Sequence, residues 1–196
     1  MNKIKKSSLI VAVLALFFSC NICLAEEARP RCLKAVEMLT GFGRAKLHGK
    51  GNYYLAPFIF DFDFDLVPTV EKWGLKLPGL FQFQLEPFIS AVYRPDANVE
   101  IGNAFMLKLG VLPETFKFQP YIKAGVGMLY MTQHTREQST QFNFLEQGAV
   151  GAHYFFSKKI ALTMDCRFRH VSNASIKHPN HGINTLYYLL GATYEF

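Results

Sequence analysis

A chain of 196 residues with 19 phenylalanines, 14 glycines and a formal charge of +6 is long enough for one domain and only mildly basic. Three of its lysines fall within the first six residues, and the rest has neither a basic patch interleaved with aromatics nor a nucleic-acid motif, which excludes a nucleic-acid binder. No Cys/His spacing reads as a metal site, and neither a metal nor another cofactor is expected.

Residues 1–25 have the three parts of a secretory signal. Lys3, Lys5 and Lys6 form the basic start, Leu9 to Phe18 the apolar stretch, and Cys23-Leu24-Ala25 a small-residue cleavage site before Glu26. The apolar stretch is short for a membrane-anchoring helix. The bulky Phe17 and Phe18 make Ser19-Cys20 a poor lipoprotein site. Cleavage would leave 26–196 as a single domain and lower the charge from +6 to +3 with the loss of three lysines. Of the cysteines, Cys32 and Cys166 would remain. They are expected to stay free although the compartment permits a disulfide, because they lie far apart along the strands and Cys166 falls on an apolar face.

Strand-like alternation fills the rest, over 36–48, 51–65, 80–93, 98–111, 116–131, 142–156, 159–172 and 183–196. Most of these stretches are longer than soluble strands and long enough to cross a bilayer when tilted. In the second, Phe58, Phe60, Phe62 and Phe64 alternate with Asp61, Asp63 and Asp65. In the third, Phe81, Phe83 and Leu85 alternate with Gln82, Gln84 and Glu86. In the fifth, Phe116, Phe118, Ile122, Val126 and Met128 oppose Lys117, Gln119, Tyr121 and Lys123. The seventh sets Leu162, Met164, Cys166, Phe168, His170 and Ser172 against Thr163, Asp165, Arg167 and Arg169. The eighth closes on Tyr194 and Phe196, an aromatic ending that resembles the last strand of bacterial outer-membrane barrels.

A secreted soluble sandwich would turn the phenylalanine rows inward, but it predicts shorter strands. A signal followed by eight long strands predicts an all-β fold, an eight-stranded antiparallel transmembrane β-barrel of the cell outer membrane. The apolar rows then face lipid, and the aspartates of one strand pair with lysines and arginines of others across the lumen. With both chain ends periplasmic, the tight turn at Ser157-Lys158 and the long 66–79 connection lie on that side. The 132–141 and 173–182 loops face outward, and His170 and Ser172 sit at the outer leaflet.

A serine becomes a nucleophile when a neighbouring base takes its proton. His170 and Ser172 share a face because strand side chains repeat every two residues, although regular strand spacing alone leaves them rather far apart. A bend at Asn173-Ala174 would bring them closer and offer backbone N–H groups to a developing oxyanion. An interface histidine followed by a strand-end hydroxyl explains the same pattern, since H-x-S is a short and common triplet.

The segment His170-Val171-Ser172-Asn173-Ala174-Ser175-Ile176-Lys177-His178-Pro179-Asn180-His181-Gly182-Ile183-Asn184 resembles the signature of the PagL-type lipid A 3-O-deacylases. That resemblance is specific over roughly 165–196 and otherwise architectural. It implies an eight-stranded outer-membrane barrel that removes an ester-linked acyl chain from the lipid A of lipopolysaccharide. It also implies His170 as base, Ser172 as nucleophile, and Asn173 and Asn180 at the oxyanion site.

One departure concerns the residue that orients the histidine. The family often has a glutamate fourteen residues after it, where this chain has Asn184. An amide can accept an imidazole N–H and fix the tautomer, but it cannot stabilise an imidazolium as a carboxylate does. Glu146 offers a substitute carboxylate, because a hairpin turning about Lys158 places position 146 opposite 170. Arg94 or Lys177 would hold the phosphates of lipid A, and Phe168 and Leu186 would line the acyl groove. The rivals are a non-catalytic small barrel, structural or partner-binding, and a soluble lipocalin-like carrier.

Overall fold

Eight antiparallel strands pair in chain order and close on themselves: β1 (Leu33–Leu47), β2 (Gly51–Asp65), β3 (Phe81–Arg94), β4 (Asn98–Gly110), β5 (Phe118–Met131), β6 (Phe142–Phe155), β7 (Ile160–Ser172) and β8 (Ile183–Glu195). The computed structural model describes residues 32–48 and 50–196, and the expected signal at 1–25 lies outside them. Pairing of β8 with β1 removes every sheet edge. A strand in hydrocarbon requires this, since no water is there to satisfy an unpaired backbone. The strand limits follow the alternation in the sequence closely. The largest difference is at β1, which starts at Leu33 because a bulge between Leu33 and Ala35 carries its pairing with β2 on to Phe64.

The apolar rows face outward and the polar rows inward, as an outer-membrane barrel requires. Phe58 is 50% exposed, whereas Asp61, Asp63, Gln82, Gln84 and Glu86 are buried. In β7, Met164 and Phe168 are exposed while Thr163, Asp165, Arg167 and Arg169 are buried. This facing excludes the soluble sandwich and the lipocalin-like carrier, which would place the phenylalanine rows in a core. Cys166 carries a free thiol on the outer wall, in register with Val150 and Tyr188. Aromatic side chains gather at both ends of that wall. Phe42 and Tyr54 (5.5 Å) and Phe142 and Phe144 (5.6 Å) lie toward the loops, and Tyr154 and Phe156 (5.4 Å) and Tyr194 and Phe196 (5.5 Å) at the opposite end.

Inside, the basic and acidic rows pair across the lumen. Lys108 binds Glu37 and, at 2.9 Å, Asp63. Lys123 lies 2.9 Å from Asp165 and 3.7 Å from both Asp61 and Glu86, and Arg167 bridges Glu86 and Asp165. Nearer the loops the lumen is apolar, packed with Leu39, Leu55, Met106, Leu129, Leu145 and Ile183. A second ion pair, Arg169 to Glu100 at 2.9 Å, is set among them, with the Tyr53 hydroxyl donating to Glu100 at 2.6 Å. The lumen is therefore a packed core.

The 66–79 connection contains a short helix, α1 (Val67–Glu71). Asp65 Oδ1 accepts the Val67 N–H at 2.9 Å, and Pro68 occupies the first turn, where a missing N–H costs nothing. Leu66 N–H donates to the Phe81 carbonyl at 2.8 Å, which ties the connection to the start of β3.

Candidate active site

Cross-strand register assembles the site on the outer wall of β5–β8. One row runs Val126, Glu146, His170, Asn184. The row nearer the loops holds Met128, Phe144 and Ser172, and the row below it Ala124, Gly148, Phe168 and Leu186. Phe144 belongs to the aromatic cluster at the loop end, so His170 and Ser172 lie at the level where hydrocarbon gives way to headgroups.

His170 Nδ1 bonds Asn184 Oδ1 at 2.6 Å. A side-chain amide oxygen only accepts, so Nδ1 is the donor of this bond. Glu146 faces His170 from the other side in register, as the hairpin geometry predicts, but neither a hydrogen bond nor an ion pair joins them. No hydrogen bond joins His170 and Ser172 either. Alternate residues of a strand are about 6.5 Å apart along the chain, so the ring and the hydroxyl meet only by side-chain rotation. Catalytic hydrogen bonds commonly tighten only in the substrate complex.

Asn173 and Asn180 come together, but as parts of a loop clamp. The Asn173 N–H donates to Asn180 Oδ1 at 2.9 Å, and the buried Asn173 amide donates to Ser139 Oγ at 3.0 Å and the Lys177 carbonyl at 2.7 Å. The donors of Asn173, which the resemblance assigns to an oxyanion site, are thus engaged within the 173–182 loop and, through Ser139, with the 132–141 loop. Further bonds join the same two loops: Ser139 N–H to Pro179 O at 3.1 Å, His181 N–H to Glu137 O at 2.9 Å, and Gln138 paired with Asn180. The turn that follows Ser172 has Ala174 and Ser175 at φ +52° and +61°, with Ile176 N–H donating to Asn173 O at 3.0 Å. It bends the chain directly beyond the serine.

A groove of about 520 Å³ opens below His170, lined by Ala124, Val126, Glu146, Gly148 and Phe168. Of the two residues expected to line an acyl groove, Phe168 does and Leu186 does not, because the space lies on the β5–β6 side of Phe168. The cause is side-chain size: Ala124 and Gly148 leave a hollow, and a Cβ added at Gly148 would meet only the Lys123 carbonyl oxygen, at 3.8 Å. Of the two expected phosphate ligands, Lys177 lies in the loop over the site. Arg94 ends β3, four strands around the barrel from β7.

Gly182 is the neighbour that sequence reasoning passed over. It has φ +78°, and a Cβ added there would overlap Cε1 of His170 and lie 3.0 Å from Nε2. The available sign was a glycine between a polar loop and the strand that carries Asn184.

The family model described as lipid A 3-O-deacylase (PagL) matches residues 58–193, from within β2 to near the end of β8. The crystal structure of the outer membrane enzyme PagL superposes with a TM-score of 0.56 at 17% identity, over 83% of this chain and 99% of that one. Neisserial surface protein A superposes with a TM-score of 0.60 at 10% identity, over 83% and 96%. A search of curated proteins by sequence finds no match. The two superpositions establish the fold, a small outer-membrane barrel, and the family model supplies the narrower assignment. This outer-membrane chain belongs to the lipid A 3-O-deacylase (PagL) family.

Proposed function

We propose that the protein hydrolyses the ester joining an acyl chain to the 3-position of lipid A, with Ser172 as nucleophile and His170 as base. One observation carries this reading. An imidazole held by Nδ1 stands two residues from a serine, on the outer wall, at the head of a groove open to hydrocarbon. His170 Nε2 takes the Ser172 proton while Oγ attacks the ester carbonyl, and the same proton passes to the departing sugar oxygen. Water then attacks the acyl-enzyme, gives a proton to Nε2, and releases the fatty acid and the Ser172 hydroxyl. The developing oxyanion takes backbone N–H groups of the turn beyond Ser172 other than those of Asn173 and Ile176, which are already bonded, and Asn173 and Asn180 fix the shape of that turn. The acyl chain lies in the groove, so it never leaves an apolar environment.

The rival reading is a non-catalytic barrel, and the fold alone does not separate the two, since neisserial surface protein A shares it. Mixing the purified protein with hexa-acylated lipid A and following fatty-acid release by mass spectrometry does separate them. Release of the 3-linked chain supports the enzyme. Intact lipid A after prolonged incubation would sink it.

Asn184 accepts the ring N–H directly, so Asn184→Ala should slow release by about 10²-fold. Asn184→Asp, which adds a charge that stabilises the imidazolium, should restore or exceed the wild-type rate. Glu146→Gln should change the rate little if Asn184 is the orienting residue. A loss in the Glu146 variant as large as that in Asn184→Ala would instead make the carboxylate the working partner.

Gly148→Leu places a side chain in the groove where nothing obstructs it. Release of long acyl chains should fall by roughly 10-fold or more, while short-chain esters are cleaved as before, because lost apolar contact is worth about 0.8 kcal/mol per methylene. Comparing rates on esters of graded chain length checks this.

A further inference from the structure

We propose that Gly182 is a positioning residue, whose bare α-carbon forms the wall that holds the His170 imidazole in line with Asn184. This rests on reading His170 as the base. A single hydrogen bond from Nδ1 to Asn184 Oδ1 leaves the ring free to swing about that contact, and the opposite edge of the ring needs a stop. Gly182 supplies one. The three atoms nearest an added Cβ are all ring atoms: Cε1, which it would overlap, Nε2 at 3.0 Å and Nδ1 at 3.3 Å.

The wall itself is fixed. On one side His181 N–H is bound to the Glu137 carbonyl at 2.9 Å and Asn180 is paired with Gln138. On the other, Ile183 is buried and in register with Val171. With the backbone pinned between two loops and a strand, an added side chain displaces the ring. The obstruction is the movable end of a side chain, so the barrel still closes around it.

Positive φ at Gly182 gives a plainer role for the glycine, that of a turn residue. Two other glycines isolate that contribution. Gly51 and Gly74 have φ of +78° and +81°, and a Cβ at either would meet nothing within 4 Å. Gly51→Ala and Gly74→Ala therefore impose the same backbone penalty without touching a ring.

The test uses full-length mature protein in detergent micelles with ¹⁵N-labelled histidine, the His170 ring signals being assigned by their loss in His170→Gln. Wild type should show a protonated Nδ1 and a bare Nε2 on His170. Gly182→Ala should migrate as a folded barrel, lose that tautomer signature, and lower the turnover number for lipid A about 100-fold with KM little changed. Gly51→Ala and Gly74→Ala should leave both the signals and the turnover as in wild type. Gly182→Asn, whose side chain tolerates left-handed backbone, is the second variant should the alanine fail to fold, and it too must displace the ring. Ring signals in either folded Gly182 variant that match wild type, with turnover within about twofold, would overturn the proposal. So would an equal loss in Gly51→Ala. Should wild type release no fatty acid at all, the deacylase reading fails, and the ring signals alone still decide the role of Gly182.

Discussion

His170→Ala and Ser172→Ala should each lower fatty-acid release from lipid A by at least about 10³-fold. Both side chains project from the outer wall, where neither supports the lumen or the strand ladders, so the variants should insert and show the same heat-modifiable migration as wild type. The double variant should be no slower than either single one. A base without its nucleophile and a nucleophile without its base lose the same step, and such losses do not add. Any release that persists would report binding and the backbone donors of the turn. Loss in Ser172→Ala with full activity in His170→Ala would replace the proposed base, and full activity in both would remove the chemistry from this face.

The second large effect concerns folding. Arg167→Met removes the cation between Glu86 and Asp165 and leaves two buried carboxylates with Lys123 as the cation beside both, although Gln147 still donates to Glu86 at 2.8 Å. Breaking a buried ion pair on one side costs about 3–5 kcal/mol, a large share of the roughly 5–15 kcal/mol that holds most domains together. The urea midpoint for loss of heat-modifiable migration should therefore fall sharply. Adding Glu86→Gln to the same chain should recover most of the loss, since a neutral amide needs no counter-charge and Asp165 keeps Lys123 at 2.9 Å as its own. An unchanged midpoint in Arg167→Met would show that the network is held by its neighbours. Arg167 points into the lumen and His170 out of it, so the fraction that folds should hydrolyse lipid A at the wild-type rate.

The barrel and the facing of its strands were legible in the sequence wherever one row is aromatic and the other charged. Phe58 to Phe64 against Asp61 to Asp65, and Met164 to Phe168 against Asp165 to Arg169, each leave one arrangement that puts charge away from lipid. The apolar part of the lumen was not legible. Leu39, Leu55, Met106 and Leu145 face inward on strands whose outer residues are apolar too, so no contrast marks the two faces. In the site, the His170–Asn184 contact followed from the family resemblance, and the register of Glu146 from counting residues across a hairpin. The engagement of Asn173 with Ser139 did not, because it depends on how two loops distant in sequence fold onto each other. Gly182 escaped for the converse reason, since its part depends on an atom it lacks. The β5–β6 side of the groove escaped likewise, because Gly148 and Ala124 come together only through strand register.

A barrel filled from the ion-pair layer to the loops offers no passage for solutes. Under the proposed deacylation, substrate must then reach the wall sideways, by diffusing within the leaflet. Encounter frequency should follow the areal density of lipid A around the protein, and adding soluble lipid A to the medium should raise turnover only insofar as it enters that leaflet. A released fatty acid would depart the same way, into the surrounding membrane, and cells producing the protein should stay sealed to small dyes.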